Sequence, residues 1–193
     1  MFSVRVHGRG GQGAVTSAEM LSVAAFDQGL HAQAFPSFGS ERTGAPVVAF
    51  CRIDDAPIRA HDPIAEPDAV IVQDPTLLRL VPVFAGIKPS GFVLVNSSSP
   101  FADLGVDDLV SGMDPAHLVT VPATDLSRER LGRALPNTAL LGGFAALTGV
   151  VTLAAVQDAI RQRFTGEVAE ANAEIAHLAH VRVRLTMGGG VRA

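Results

Sequence analysis

One cysteine, Cys51, stands in a chain of 193 residues that has no tryptophan and no tyrosine. A single thiol excludes an intramolecular disulfide framework. It equally excludes an iron–sulfur cluster or a cysteine-rich zinc site held by this chain alone. Charged residues are sparse at 18% against 48% hydrophobic, a balance that excludes a disordered chain. The formal net charge of -4 gives no global attraction for nucleic acid or an anionic membrane. Met1-Phe2-Ser3-Val4-Arg5-Val6-His7 lacks a basic stretch followed by an apolar one, so no secretory signal is expected and the expected compartment is the cytoplasm. There is no internal repeat and no low-complexity linker. The length suits one domain, 1–193, large enough to bury about 70% of the surface of the unfolded chain.

One segment imitates a membrane span. Ala139–Val156 carries no charge, close to the ~18 residues that suggest a crossing. Gly142, Gly143, Thr148, Gly149 and Thr152 interrupt it. Gly149 can end one helix and Thr152 can cap the next, which turns amphipathic at Asp158, Arg161 and Arg163. The expectation is two helices buried in protein and no membrane span.

The remaining pattern alternates strands and helices. Ser3–His7 alternates as a strand, Gly8–Gly13 is a glycine-rich turn, and Ala14–Gln28 is a helix ended by Gly29. His31–Phe35 is a short strand, Pro36–Pro46 a polar loop, and Val47–Ile53 a strong strand. Asp54–Pro57 is a turn from which Ile58–Ala60 is expected to pair back as a hairpin. Ala69–Gln73 is a continuous apolar run, as a buried parallel strand is, and Phe92–Asn96 and Leu118–Val121 are two more buried strands. Thr76–Phe84 is weakly helical and Ala123–Leu135 contains a helix. Thr138–Thr148, Thr152–Phe164 and Glu167–Val181 follow as helices, before a frayed Met187–Ala193. The predicted fold is α/β and Rossmann-like: a doubly wound, mostly parallel sheet with a β-hairpin and a helical C-terminal third.

Gly8-Arg9-Gly10-Gly11-Gln12-Gly13 satisfies G-x-G-x-x-G between a strand and a helix. Glycines permit the tight turn and close backbone approach, and the helix N-terminus offers free N–H groups to a phosphate. The dipole contributes only about 0.3–1 kcal/mol at an exposed site, so a side chain such as Arg9 must assist. NAD binding in this fold needs an acid at the end of the second strand, and His31-Ala32-Gln33-Ala34-Phe35 has none. The glycines can also serve the turn alone.

The long loop, Phe35-Pro36-Ser37-Phe38-Gly39-Ser40-Glu41-Arg42-Thr43-Gly44-Ala45-Pro46, rises at the same carboxyl edge and brings hydroxyls, rings and an ion-pairable Glu41 and Arg42 to it. Through Ile53, Arg5, Arg9, Arg42 and Arg52 outnumber Glu19, Asp27 and Glu41, a local excess of cations in an acidic chain.

Four segments together, HGRGGQGAVTSAEML, AQAFPSFGSERTGAPVVAFCRI, EPDAVIVQDPTLL and PNTALLGGFAAL, make the sequence resemble the gamma subunit of pyruvate:ferredoxin oxidoreductase and related thiamine-diphosphate-dependent 2-oxoacid:acceptor oxidoreductases. The resemblance runs from Val4 to about Leu178, and Thr43 stands where the common pattern has a second Arg. It implies a subunit without catalytic residues of its own, in a complex that converts pyruvate or a related 2-oxoacid and coenzyme A to acyl-CoA, CO2 and a reduced acceptor. Thiamine diphosphate and Mg2+ would lie on alpha and beta subunits, and [4Fe-4S] clusters on beta and a ferredoxin-like delta. Ferredoxin, or an NAD-linked flavin subunit, would take the electrons. On this resemblance Arg9, Gly10, Gly11, Gln12 and Gly13 are candidates for coenzyme A phosphate contacts. Ser37, Gly39, Ser40, Glu41 and Arg42 are candidates for lining its path or an alpha-subunit interface. An aryl or branched-chain substrate such as phenylglyoxylate, a free-standing dinucleotide-binding reductase, and a purely structural subunit remain as alternatives.

Other polar residues read more simply. His177 and His180 share a face of the last helix without an evident third metal ligand. Cys51 sits in an apolar strand as a small core residue. His7 ends the first strand, where it can stabilise the turn or meet a ligand, and Asp74 precedes Pro75, where it caps the following turn or faces the site.

Overall fold

A computed structural model describes residues 1–37 and 43–189. Six strands, β1 (Phe2–Arg9), β2 (His31–Pro36), β3 (Pro46–Asp54), β4 (Ala69–Val72), β5 (Phe92–Asn96) and β6 (Leu118–Val121), form one sheet in the order β2-β3-β1-β4-β5-β6. β1, β4, β5 and β6 run parallel, and β3 runs antiparallel to both of its neighbours. β2 therefore points the same way as β1 but is separated from it by β3. The mostly parallel α/β sheet expected from the sequence is present, and its one reversed strand lies inside the sheet.

That placement corrects the hairpin expectation. Residues 58–60 form no strand. Both edges of β3 are already taken, by β1 from Phe2↔Ile53 to Arg9↔Pro46 and by β2 from His31↔Asp54 to Pro36↔Ala49, so no hydrogen-bonding edge remains for Ile58–Ala60. The hairpin is instead β2–β3, joined by the long loop. Pairing with β3 also carries β1 beyond His7 through Gly8 and Arg9.

The helices are α1 (Ala14–Asp27), α2 (Ala123–Leu131), α3 (Asn137–Thr148), α4 (Leu153–Arg163) and α5 (Gly166–Gly189). α5 runs beyond the expected Val181, because Val183 stays fully buried and keeps the helix docked for a further turn. One sheet face carries Val4, Val6, Ile71 and Leu94 into a core with α1, α3, α4 and α5. The other carries Val70, Val72, Val93 and Val95 against Leu77, Leu78, Phe84 and Val106, from short 3-10 turns and connecting segments. The weakly helical Thr76–Phe84 is one 3-10 turn, Pro75–Arg79, and then non-helical chain through Pro82.

α3 is sheathed on all sides, with Asn137 through Leu147 buried. It ends at Gly149 in the left-handed conformation (φ 66°), and the Thr152 side chain caps α4 by accepting from the Ala155 N–H. The uncharged run is thus two interior helices. Among the described residues no helix is long and apolar enough to cross a membrane. Cys51 is fully buried in β3, and burial pushes its thiol up to about 12, as befits a small apolar core residue.

Candidate functional site

β1, β2 and β4 all end at one edge of the sheet, and the candidate site is built there. Gly10 bridges to Thr43, its N–H donates to Ala45 O (2.9 Å), and the Gly44 N–H donates to Gly10 O (3.1 Å). The far end of the long loop is therefore laced to the glycine turn. At its near end the Ser37 N–H donates to Val48 O (2.8 Å), which extends the β2–β3 ladder and leaves the residue exposed at this edge. Gly39, Ser40, Glu41 and Arg42 lie outside the described residues.

The turn itself needs glycine at two places. Gly11 and Gly13 adopt φ of 95° and 80°, a region that costs other residues roughly 1–2 kcal/mol. A Cβ on Gly13 would also meet Asn137 Nδ2 at 2.9 Å. Gly13 is the N-cap of α1 and supplies no capping side chain, and no acid occupies the first turn. The helical ladder begins with the Ser17 N–H donating to Gly13 O (2.8 Å), so the amides of Ala14, Val15 and Thr16 have no acceptor within the helix. They open, with Gly10, Gly11 and Gly13, into a depression of about 300 Å³. Free N–H groups, a helix dipole and no acid in the first turn of α1 make an anion cradle.

Arg9 borders this depression, but its guanidinium is already engaged. Arg9 Nε donates to Asp74 Oδ2 (2.9 Å), Nη1 to Gly44 O (3.0 Å) and Nη2 to Thr76 Oγ1 (2.7 Å). Gln12 is likewise committed: its Oε1 accepts from the Arg9 N–H (2.8 Å) and its Nε2 donates to Asp74 Oδ2 (3.0 Å). Asp74 Oδ1 accepts from the Thr76 N–H (3.0 Å) and hydroxyl (2.6 Å), which caps the Pro75–Arg79 turn. Asp74 thus fills both roles open to it from the sequence. Partial burial pushes its carboxyl up, but the bonds from Thr76 and Gln12 and the Arg9 charge outweigh that and hold it below the usual carboxylate range.

A second, larger cleft of about 470 Å³ adjoins the cradle and shares Gly11, Gly13 and Thr16 with it. Its far wall comes from the α2–α3 connection and from the α4–α5 junction, including Arg133, Asn137, Arg163 and Phe164. None of these side chains stood out in the sequence as a site residue. Asn137 lies in the PNTALLGG segment, but Arg133 and Arg163 carry no local pattern, and only the packing of α3 and α4 beside α1 brings them here.

His7 is a structural residue. Its Nε2 accepts from Arg5 Nε (3.2 Å), and burial together with the Arg5 charge lowers it to about 4, so the ring is neutral. The Arg5 guanidinium in turn donates to Val83 O (2.8 Å) and Ala85 O (2.7 Å), pinning that segment to the sheet. Among the described residues no group of three or more His, Cys, Asp or Glu is arranged to hold a metal ion, His177 and His180 included.

Over residues 3–180 the chain matches the pyruvate ferredoxin/flavodoxin oxidoreductase family. It is 49% identical over 176 residues to the Thermococcus kodakarensis pyruvate/ketoisovalerate oxidoreductases common subunit gamma, covering 91% of this chain and 94% of the relative. With the pyruvate synthase subunit PorC of Methanothermobacter marburgensis it shares 44% over 184 residues, 95% of this chain and 98% of the relative. The crystal structure of the pyruvate oxidoreductase subunit PORC from Thermotoga maritima superposes with a TM-score of 0.80 at 35% identity, over 93% of this chain and 95% of that one.

Proposed function

The chain belongs to the pyruvate ferredoxin/flavodoxin oxidoreductase family, and from that membership we propose how it acts. It is the gamma subunit of a multi-subunit 2-oxoacid oxidoreductase, an assembly component and a binding surface for coenzyme A. Identity of 44–49% across nearly the whole length of both this chain and the gamma and PorC relatives carries the subunit assignment, and the free amides at the start of α1 support the coenzyme reading. The chain works as one domain, 1–193, in the cytoplasm.

Within the complex the thiamine group supplies decarboxylation of the 2-oxoacid, and the clusters supply the electron path. The described residues do not fit either a cluster or a metal: Cys51 is enclosed in the core, and no ligand set is grouped among them. Those groups, with Mg2+, belong to alpha, beta and ferredoxin-like delta partners, and a ferredoxin or an NAD-linked flavin subunit accepts the electrons. This chain's task is to bind and orient. The glycine turn and the free amides of Ala14, Val15 and Thr16 hold the coenzyme A diphosphate. Arg9 and Gln12, both held by Asp74, support the turn from behind. Ser37, with Gly39, Ser40, Glu41 and Arg42 by their resemblance, lines the coenzyme's path.

A free-standing dinucleotide reductase is disfavoured. β2 carries no acid at its end, and β3 separates it from β1, so the usual ribose-binding arrangement of adjacent first and second strands is missing.

Assembly with and without this chain tests the proposal. Complex lacking it should lose coenzyme A-dependent acceptor reduction, and adding it back should restore saturation by coenzyme A. Unchanged coenzyme A saturation in its absence would refute a binding role. Arg42→Ala in the intact complex refines the test: a phosphate contact predicts a roughly ten- to hundredfold rise in the apparent coenzyme A constant.

A further inference from the structure

We propose that Gln73 is a positioning residue for the anion cradle. From beneath the glycine turn it fixes the first turn of α1, and with it the free amides that meet the coenzyme. The inference rests on the coenzyme A reading above and adds to it a residue that acts without touching the ligand.

Gln73 follows the last residue of β4 and is fully buried. Its backbone is held from both neighbouring strands. Its N–H donates to His7 O of β1 (2.7 Å), and its carbonyl accepts from Asn96 Nδ2 of β5 (2.8 Å). Asn96 is fixed in turn, donating to the Thr124 hydroxyl (2.8 Å) and accepting from the Thr124 N–H (3.1 Å). So anchored, the Gln73 side chain stands on the same sheet face as Ile71 and reaches α1. Its Nε2 donates to Ser17 Oγ (2.8 Å). Ser17 is the residue of α1 whose N–H makes the first bond of the helical ladder, to Gly13 O (2.8 Å). The side-chain bond therefore ties the end of β4 to the turn that carries the Ala14, Val15 and Thr16 amides.

Two features set this amide apart from a side chain that only fills the core. First, Gln73 Oε1 is buried without a hydrogen-bond partner among the described residues. The reversed amide would satisfy Ser17 equally, because a hydroxyl donates or accepts, and would leave its other atom unpaired in the same place. An apolar side chain of this size would avoid that penalty, so stability alone does not account for the amide. Second, the first glycine of the turn is fitted to it. Gly8 has no positive φ, yet a Cβ there would stand 2.6 Å from Gln73 Oε1 and 3.2 Å from Ala14 Cβ. Glycine at this position lets the amide and α1 close on β1, which seats the helix N-terminus at the turn.

The test uses the assembled complex. Gln73→Leu and Ser17→Ala remove the bond from its two ends, and Ser17→Ala takes away a single oxygen, so it probes the bond with little change to the core. Each should raise the coenzyme A KM about three- to tenfold and leave kcat unchanged. The double variant should do no more than the larger single one, because both remove one interaction. The unfolding midpoint of Gln73→Leu should not fall, since the unpaired atom leaves with the amide. Hydrogen exchange over residues 13–20 gives a readout apart from turnover. Coenzyme A should slow it, and each variant should need about three- to tenfold more coenzyme for the same slowing. Unchanged KM and exchange in both variants, or additive effects in the double variant, would overturn the assignment. So would a KM rise that only accompanies a lower kcat and a lower midpoint, which is the mark of a structural role. Failure of the parent reading looks different: coenzyme A would then slow no exchange over 13–20 in the unsubstituted complex, and both readings would fall together.

Discussion

The Asp74 carboxylate at the end of β4 accepts a hydrogen bond from the Arg9 guanidinium at the end of β1 over 2.9 Å. β1 and β4 are parallel neighbours, so their carboxyl ends coincide and an acid 65 residues away in sequence reaches the glycine turn. The same oxygen holds Gln12, and the other oxygen caps the next turn. One carboxylate thus sets the shape of the anion cradle from outside it.

Replacing that carboxylate should therefore cost both stability and binding. Asp74→Ala removes a cap and the charge-assisted bonds of a half-buried pair, for about 2 kcal/mol. Asp74→Asn keeps an acceptor for Thr76 and should lose less. Denaturant midpoints of the two variants check the order, and the coenzyme A KM of the assembled complex should rise in the same order.

Acid should destabilise the fold through His7. Burial and the Arg5 charge lower its pKa from 6.5 to about 4, so between those values the unfolded chain binds a proton that the folded chain does not. Stability is full above about pH 6.5, falls as pH drops toward 4, and loses about 3 kcal/mol over that window. Asp74, with its lowered pKa, adds a further loss at lower pH, as it protonates. His7→Gln keeps an acceptor for Arg5 without titrating. Unfolding free energies measured from pH 7 to pH 4.5 should show a clearly shallower slope in this variant, and an identical slope would contradict the assignment.

Adjacent glycines in α3 should respond unequally to alanine. A Cβ at Gly142 would lie 1.9 Å from Ala176 O, where α3 and α5 touch backbone to backbone, whereas one at Gly143 would meet Leu94, Val121 and Val183 side chains at 3.3–3.4 Å. Gly142→Ala should cost about 3 kcal/mol or more and Gly143→Ala well under half of that, because side chains yield where a helix backbone does not. Thermal unfolding of both variants distinguishes them.

In the glycine turn, Gly11→Ala has open space for its Cβ and should cost only the backbone term, about 1–2 kcal/mol. Gly13→Ala adds a collision with Asn137 to the same strain and should cost more. Paired denaturation curves test the difference; equal losses would mean that Asn137 yields freely.

Much of this protein follows from local pattern. Short, β-branched apolar runs at Ala69–Val72, Phe92–Asn96 and Leu118–Val121, too short for helices, form buried parallel strands. Left-handed turns demand glycine at Gly11, Gly13 and Gly149, and Thr152 caps a helix by itself, so these features are readable from neighbours in the chain. The four segments that carry the family resemblance are likewise a property of sequence order alone. What local pattern does not encode is which strand takes which edge. The pairing of β3 with β1 and β2, in place of Ile58–Ala60, is a competition among backbones far apart in the chain. The commitment of Arg9 to Asp74 depends on β1 pairing with β4, and the meeting of Arg133, Asn137 and Arg163 beside the glycine turn depends on helices packing on the sheet. Side-chain partners at such separations are set by the closed core, since only its packing brings their backbones within hydrogen-bonding reach.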